Sequence, residues 1–225
     1  MKKYVLGLAM ALCASTAAMA EVSVSGGADV VSSYNWRGIQ QSGPAIQPGM
    51  AISAGNFSLG AWGSSSFADI TSTTSKELDF TLAYEVGKFS IAVTDYWWSG
   101  ETASYMDGAH QQEVTVGFAI TDALSVAWST VLAGSLDEGA DGQMYSSYLN
   151  IAYAFEIGSV ACDASLGINP YESAYGDSFG VSSIALRFTK ELVCSDTFSI
   201  PFFVETSIAP LQSNAYLVAG MSFGF

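Results

Sequence analysis

Seven carboxylates fall in one phase of an alternating pattern that runs through the chain: Asp29, Glu77, Asp79, Glu85, Glu113, Asp163 and Glu205. Two basic residues, Arg37 and Arg187, share that phase. Carboxylates in such numbers can serve catalysis or set the charge selectivity of a passage. Catalysis by a nucleophile needs a base and an orienting group within reach. The one histidine, His110, is followed by Gln111 and Gln112 and has no serine in a His-x-Ser run. No catalytic residue is therefore assigned, and the reading is non-enzymatic. The acidic loop at residues 136–142 (LDEGADG) lacks the spacing of an EF-hand and is read as solvated. There is no His/Cys cluster for zinc and no phosphate-cradling glycine loop on a strand–helix junction, so neither a metal nor a cofactor is expected.

The elements that must position these charges are strands. In residues 77–86, Leu78, Phe80, Leu82, Tyr84 and Val86 share one face, and Glu77, Asp79, Thr81, Ala83 and Glu85 share the other. Residues 113–120 and 198–205 repeat the pattern. Such period-2 alternation marks strands with two unlike faces. Twelve segments follow it: 22–37, 45–54, 57–67, 76–86, 89–98, 111–121, 124–133, 144–155, 159–168, 179–189, 197–207 and 215–225, with ten as the alternative count. Most are about ten residues long, the length a tilted strand needs to cross a bilayer.

Composition narrows the class. Residues 1–20 carry two lysines, an apolar stretch and the small-x-small end Ala18-Met19-Ala20, which is the form of a cleaved secretory signal peptide. The mature chain, residues 21–225, would form one domain. It keeps five of the seven basic residues and all 21 acidic ones, so its net charge is 5 − 21 = −16. That excludes nucleic acid as a partner, since binding it needs a basic footprint. Only 12% of the chain is charged and 50% is hydrophobic, against about a quarter charged in ordinary soluble domains. No mature stretch holds 18 consecutive apolar residues. The apolar surface must lie inside a soluble β-core or on the outside of a barrel.

The connections decide between these. Turns at residues 55–56, 87–88, 122–123 and 156–158 are short, while those at 71–75, 100–110, 134–143 and 169–178 are longer and polar. Alternating short turns and long loops with an even strand count is the pattern of outer-membrane barrels. The expected fold is all-β, a closed antiparallel transmembrane barrel with short periplasmic turns. The apolar face then meets lipid. Tyr34, Trp36, Phe67 and Trp97 would form one aromatic girdle, and Phe57, Phe89, Phe155, Phe198, Phe223 and Phe225 the other.

The opposite face becomes the lumen. Its carboxylates outnumber its two arginines, so pairing cannot satisfy them and water must. Eight strands make a barrel that side chains fill, and sixteen leave an aqueous channel. Twelve strands lined by Ser and Gly imply a narrow wet passage that favours cations. The alternative is a barrel plugged by charges and tucked-in loops. Arg37 is expected to face this lumen and pair with carboxylates on neighbouring strands, as a constriction residue or as a clamp. Cys162 and Cys194 would lie near the periplasmic rim, where a disulfide between them is reasonable in an oxidising compartment.

The run SSYNWRGIQQSGPAIQPG, residues 32–49, resembles the N-terminal signature of the TorF-type family of proposed porins, also known as a conserved hypothetical family. Ser32, Tyr34, Arg37, Gly38, Gln41, Ser42, Pro44 and Gln47 occupy its Ser-x-Tyr-x-x-Arg-Gly-x-x-Gln-Ser and Pro-x-x-Gln places. The end MSFGF resembles the last strand that outer-membrane proteins present to their assembly machinery, with Phe225 terminal. The resemblance implies a small barrel of the bacterial outer membrane with a porin role. Its partners would be lipid, the assembly machinery and small solutes or ions. A sealed structural or adhesive barrel is the second reading, and a lipid-acting barrel enzyme the third.

Overall fold

The computed structural model describes residues 21–67, 76–99, 104–105, 109–195 and 198–224. The signal peptide, the loop at 71–75 and Phe225 lie outside the described residues. Twelve strands form the wall: β1 (Val22–Val31), β2 (Ala45–Ala54), β3 (Phe57–Ser66), β4 (Lys76–Val86), β5 (Phe89–Trp98), β6 (Ala109–Ala119), β7 (Leu124–Gly134), β8 (Ser147–Ile157), β9 (Val160–Asn169), β10 (Gly180–Ser195), β11 (Phe198–Ala209) and β12 (Asn214–Gly224). Each pairs antiparallel with its neighbour in sequence. β1 pairs with β12 from Gly27↔Gly224 to Val31↔Gly220, which closes the barrel and leaves no free edge.

The distribution of side chains is the reverse of a soluble protein. Serines at 64, 66, 129, 182, 207 and 222 are buried, whereas Leu59, Leu82, Ile91, Val93, Val116 and Leu217 are exposed. Along β4, Glu77, Asp79 and Ala83 are buried, while Phe80 and Leu82 are exposed, Leu82 by 54%. A soluble sandwich would have buried the other set. An apolar outer face over a polar inner one is the arrangement a bilayer demands, and the closed ladder satisfies every strand inside it. Short turns at 55–56, 87–88 and 158–159 share one end with the chain's described termini, and the longer connections share the other.

Two expectations about elements need correction. The first strand ends at Val31 instead of running to 37. Ser32 ends it by locking onto β12: its N–H donates to the Ala219 carbonyl (2.8 Å) and its hydroxyl accepts from the Ala219 N–H (2.9 Å). β10 in turn runs to Ser195, six residues past its expected end.

That overrun separates the cysteines, and both are free thiols. Cys162 pairs in register with Phe188 and is buried on the outer face between Phe155 and Phe188. Cys194 lies six residues further along β10, about 20 Å away at strand rise, beyond the span of any disulfide. An impermeant maleimide is expected to label Cys194 in the folded barrel and to reach Cys162 only after unfolding. Reducing agent should leave gel mobility unchanged, and a mobility shift would mean a bond.

Candidate functional site

The chain between β1 and β2 does not form an outer loop. Tyr34–Trp36 and Ile39–Ser42 pair as a small antiparallel hairpin. Its tip is Arg37-Gly38, with φ of 52° and 86°. Two successive positive φ values make the tight turn whose twist matches a hairpin. The hairpin enters the barrel, as its contacts with the inward faces of distant strands show.

Arg37 reaches across to β6. Its Nη1 and Nη2 donate to the two oxygens of Glu113 at 2.5 and 2.8 Å. Glu113 is only 1% exposed. The guanidinium also donates to the Tyr175 hydroxyl and lies 4.5, 4.7 and 5.1 Å from the ring centroids of Trp36, Tyr148 and Tyr175. Tyr96 on β5 donates to the same Glu113 at 3.0 Å. A bidentate pair with aromatic walls is the setting in which arginine binds best. Burial alone would lower the guanidinium's pKa, but Glu113 and then Tyr175 outweigh it and hold it above its ordinary value. Burial pushes the Tyr175 phenol up to about 12, so it stays a neutral partner.

The two aromatics of the hairpin also turn inward. Tyr34 donates to Glu77 at 3.3 Å and meets Trp62 edge-on at 5.5 Å. Trp36 packs against Tyr96, Trp98 and Tyr175. Tyr216 of β12 donates to the Gly38 carbonyl at 3.3 Å. Tyr34 and Trp36 are therefore not girdle residues: the chain leaves the strand at Ser32, the phase that pointed them at lipid is lost, and their rings bury against lumen aromatics. Arg37 faces the lumen, but its partner stands across the barrel and not on a neighbouring strand. Burial, followed by the charges of Glu77 and Asp79, holds the Tyr34 phenol well above its ordinary value.

The other motif positions support this seat. Ser33 donates to the Ser42 carbonyl at 3.2 Å. The Pro44 carbonyl accepts from Phe67 N–H, and Gln47 donates to Ser64 at 3.5 Å. Gln41 joins Trp36, Trp98, Gln111 and Tyr175 around a vestibule of about 210 Å³.

A second charge cluster occupies another part of the lumen. Register sets Asp163, Arg187 and Glu205 in one row across β9, β10 and β11. Arg187 donates to Glu205 at 2.8 Å and lies 4.3 Å from the Phe203 ring centroid. Asp29 on β1 and Glu85 on β4 share the inward phase. Among the described residues each lumen arginine holds one carboxylate, Glu113 or Glu205, and Asp29, Glu77, Asp79, Glu85 and Asp163 have no ion pair. Trp97 and Phe223 take the outward phase, Phe223 exposed and Trp97 covered by Tyr105.

Two further titratable residues sit differently from what the sequence led one to expect. Asp137, in the loop expected to be solvated, is fully buried and accepts from Gln143 and from the Ser146 N–H at 3.1 Å. It fastens its own loop. His110 is not alone: its Nδ1 lies 3.0 Å from Asp95 on the outward phase of the wall. Its Nε2 lies 2.9 Å from the Tyr105 carbonyl.

A closed antiparallel wall, apolar outside and acidic inside, defines a transmembrane β-barrel. The chain belongs to the Gcw_chp family, described as a bacterial protein of unknown function, whose pattern matches residues 15–195. No curated protein matches the chain. Solved structures similar to it include a Rhodopseudomonas blastica porin carrying three substitutions, at 11% identity and a TM-score of 0.40 over 80% of this chain. This chain spans only 55% of that porin's length. The KdgM porin in complex with disordered oligogalacturonate is similar at 11% identity and a TM-score of 0.43, over 89% of this chain and 95% of its own.

Proposed function

We propose that this barrel is a porin-like channel of the bacterial outer membrane, passing small hydrophilic solutes by diffusion with a preference for cations. The observation that carries the reading is the lumen's charge: seven inward carboxylates against two arginines, each arginine already engaged by one of them. The hairpin at residues 34–42 would be the constriction, and Arg37 its anchor. Residues 1–20 would be the signal peptide that brings the chain to the barrel-assembly machinery, which would read its last strand. The likeness of residues 32–49 to the TorF-type family supports the same role.

Single-channel recording of the refolded mature chain under a salt gradient tests this. Discrete steps with a cation-selective reversal potential are expected. With divalent ions chelated, Glu77→Gln together with Asp79→Asn should reduce that selectivity, because two negative charges leave the constriction. Unchanged selectivity would remove these residues from the conduction path. The hairpin also supports a second reading, a sealed structural barrel. A silent bilayer from folded, heat-modifiable protein would favour it.

A further inference from the structure

We infer that Glu77 and Asp79 hold a hard divalent cation of the calcium class, which ties the Tyr34 hairpin to the barrel wall. The inference rests on the reading of a wet, acid-lined lumen, since the ion must arrive through water. The two carboxylates stand two residues apart on the inward face of β4, and their residues are only 7% and 8% exposed. Among the described residues the other two buried carboxylates have a donor at each oxygen. Glu113 has Arg37 and Tyr96, and Asp137 has the Ser146 N–H and Gln143. Glu77 has only neutral donors, the Tyr34 hydroxyl at 3.3 Å and the Trp98 side chain. Asp79 Oδ1 is buried and has no hydrogen-bond partner at all.

Two adjacent negative charges withdrawn from water, one with an orphaned oxygen, call for a positive charge between them. Neither lumen arginine supplies it, as Arg37 and Arg187 are bound elsewhere. The available donors are all hard oxygens: the Glu77 carboxylate, Asp79 Oδ1 and the lone pairs of Tyr34. Calcium accepts such a set and completes its shell with water. Bound there, the ion would join β4 to the hairpin through Tyr34, giving the plug a second anchor besides Arg37–Glu113.

Terbium, a luminescent substitute for calcium, tests this in the refolded mature barrel. Trp62 faces Asp79 across the β3–β4 ladder and can sensitise it. The expected result is saturable emission that calcium displaces, lost in the Glu77→Gln/Asp79→Asn pair and kept in a Glu138→Gln/Asp141→Asn loop control. Calcium should also raise the unfolding temperature of the wild type and not of the Glu77/Asp79 variant. Emission that survives in that variant, or a wild type without emission or thermal shift, overturns the inference: protons would then neutralise the pair. Conductance separates the two readings. Cation-selective steps without terbium binding remove the ion site and leave the channel. Terbium binding in a silent barrel removes the channel and leaves the site.

Discussion

Replacing Arg37 by Ala is expected to unseat the hairpin, raise single-channel conductance and destabilise the barrel by about 3–5 kcal/mol, the usual cost of removing one member of a buried ion pair. The cause is the partner left behind. Glu113 is 1% exposed and loses both guanidinium bonds, keeping the Tyr96 hydroxyl at 3.0 Å and a long contact from Thr115 at 3.4 Å. Adding Glu113→Gln should recover much of the stability, since a neutral amide tolerates that site, while the conductance stays high because the anchor is still missing. Arg37→Lys should fall between wild type and Ala: an ammonium keeps the charge but cannot make the two-pronged contact or lie flat between Trp36, Tyr148 and Tyr175. Urea unfolding in lipid vesicles reads the first effect and planar-bilayer recording the second. An Arg37→Ala barrel with wild-type conductance would mean that the hairpin does not limit the passage.

The wall was legible in the sequence because its physics is local. A strand with lipid on one side and a wet lumen on the other must alternate, and each of the twelve segments does. The inward phase of Glu77, Asp79, Glu113, Asp163, Arg187 and Glu205 follows from the same rule. The hairpin was hidden by that rule. In SSYNWRG the aromatics Tyr34 and Trp36 alternate with polar residues, so the run mimics one more turn of the lipid-facing pattern. Two signals stood against it. The segment at 22–37 is sixteen residues, well beyond the ten or so of its neighbours, and Arg37-Gly38 followed by Gln40, Gln41 and Ser42 is turn chemistry with a polar return. What it packs against was beyond reach, because Glu113, Tyr148 and Tyr175 are 76, 111 and 138 positions away from Arg37 and only barrel closure brings them together. The cysteine pairing failed for a related reason: an even count gives no register, and β10 outruns β9.

The sharpest test of the hairpin's seat is one methyl group. Gly38→Ala places a Cβ against the Ser182 carbonyl oxygen, with the Ala209 side chain only 3.2 Å away, and does so at φ +86°. The left-handed conformation alone costs a non-glycine residue about 1–2 kcal/mol. The collision adds to it, because Ser182 is backbone of β10 and cannot rotate aside. The turn must lift away, and with it the Arg37 anchor one residue earlier. Gly38→Ala should therefore raise conductance as Arg37→Ala does. The double variant should go little further than either single one, as expected when two changes undo the same contact. Gly43→Ala is the matched control, since a Cβ there meets nothing within 4 Å; it should leave conductance and stability unchanged. If Gly38→Ala behaves like Gly43→Ala, the tip of the hairpin does not rest on β10 and the constriction has to be sought among the walls.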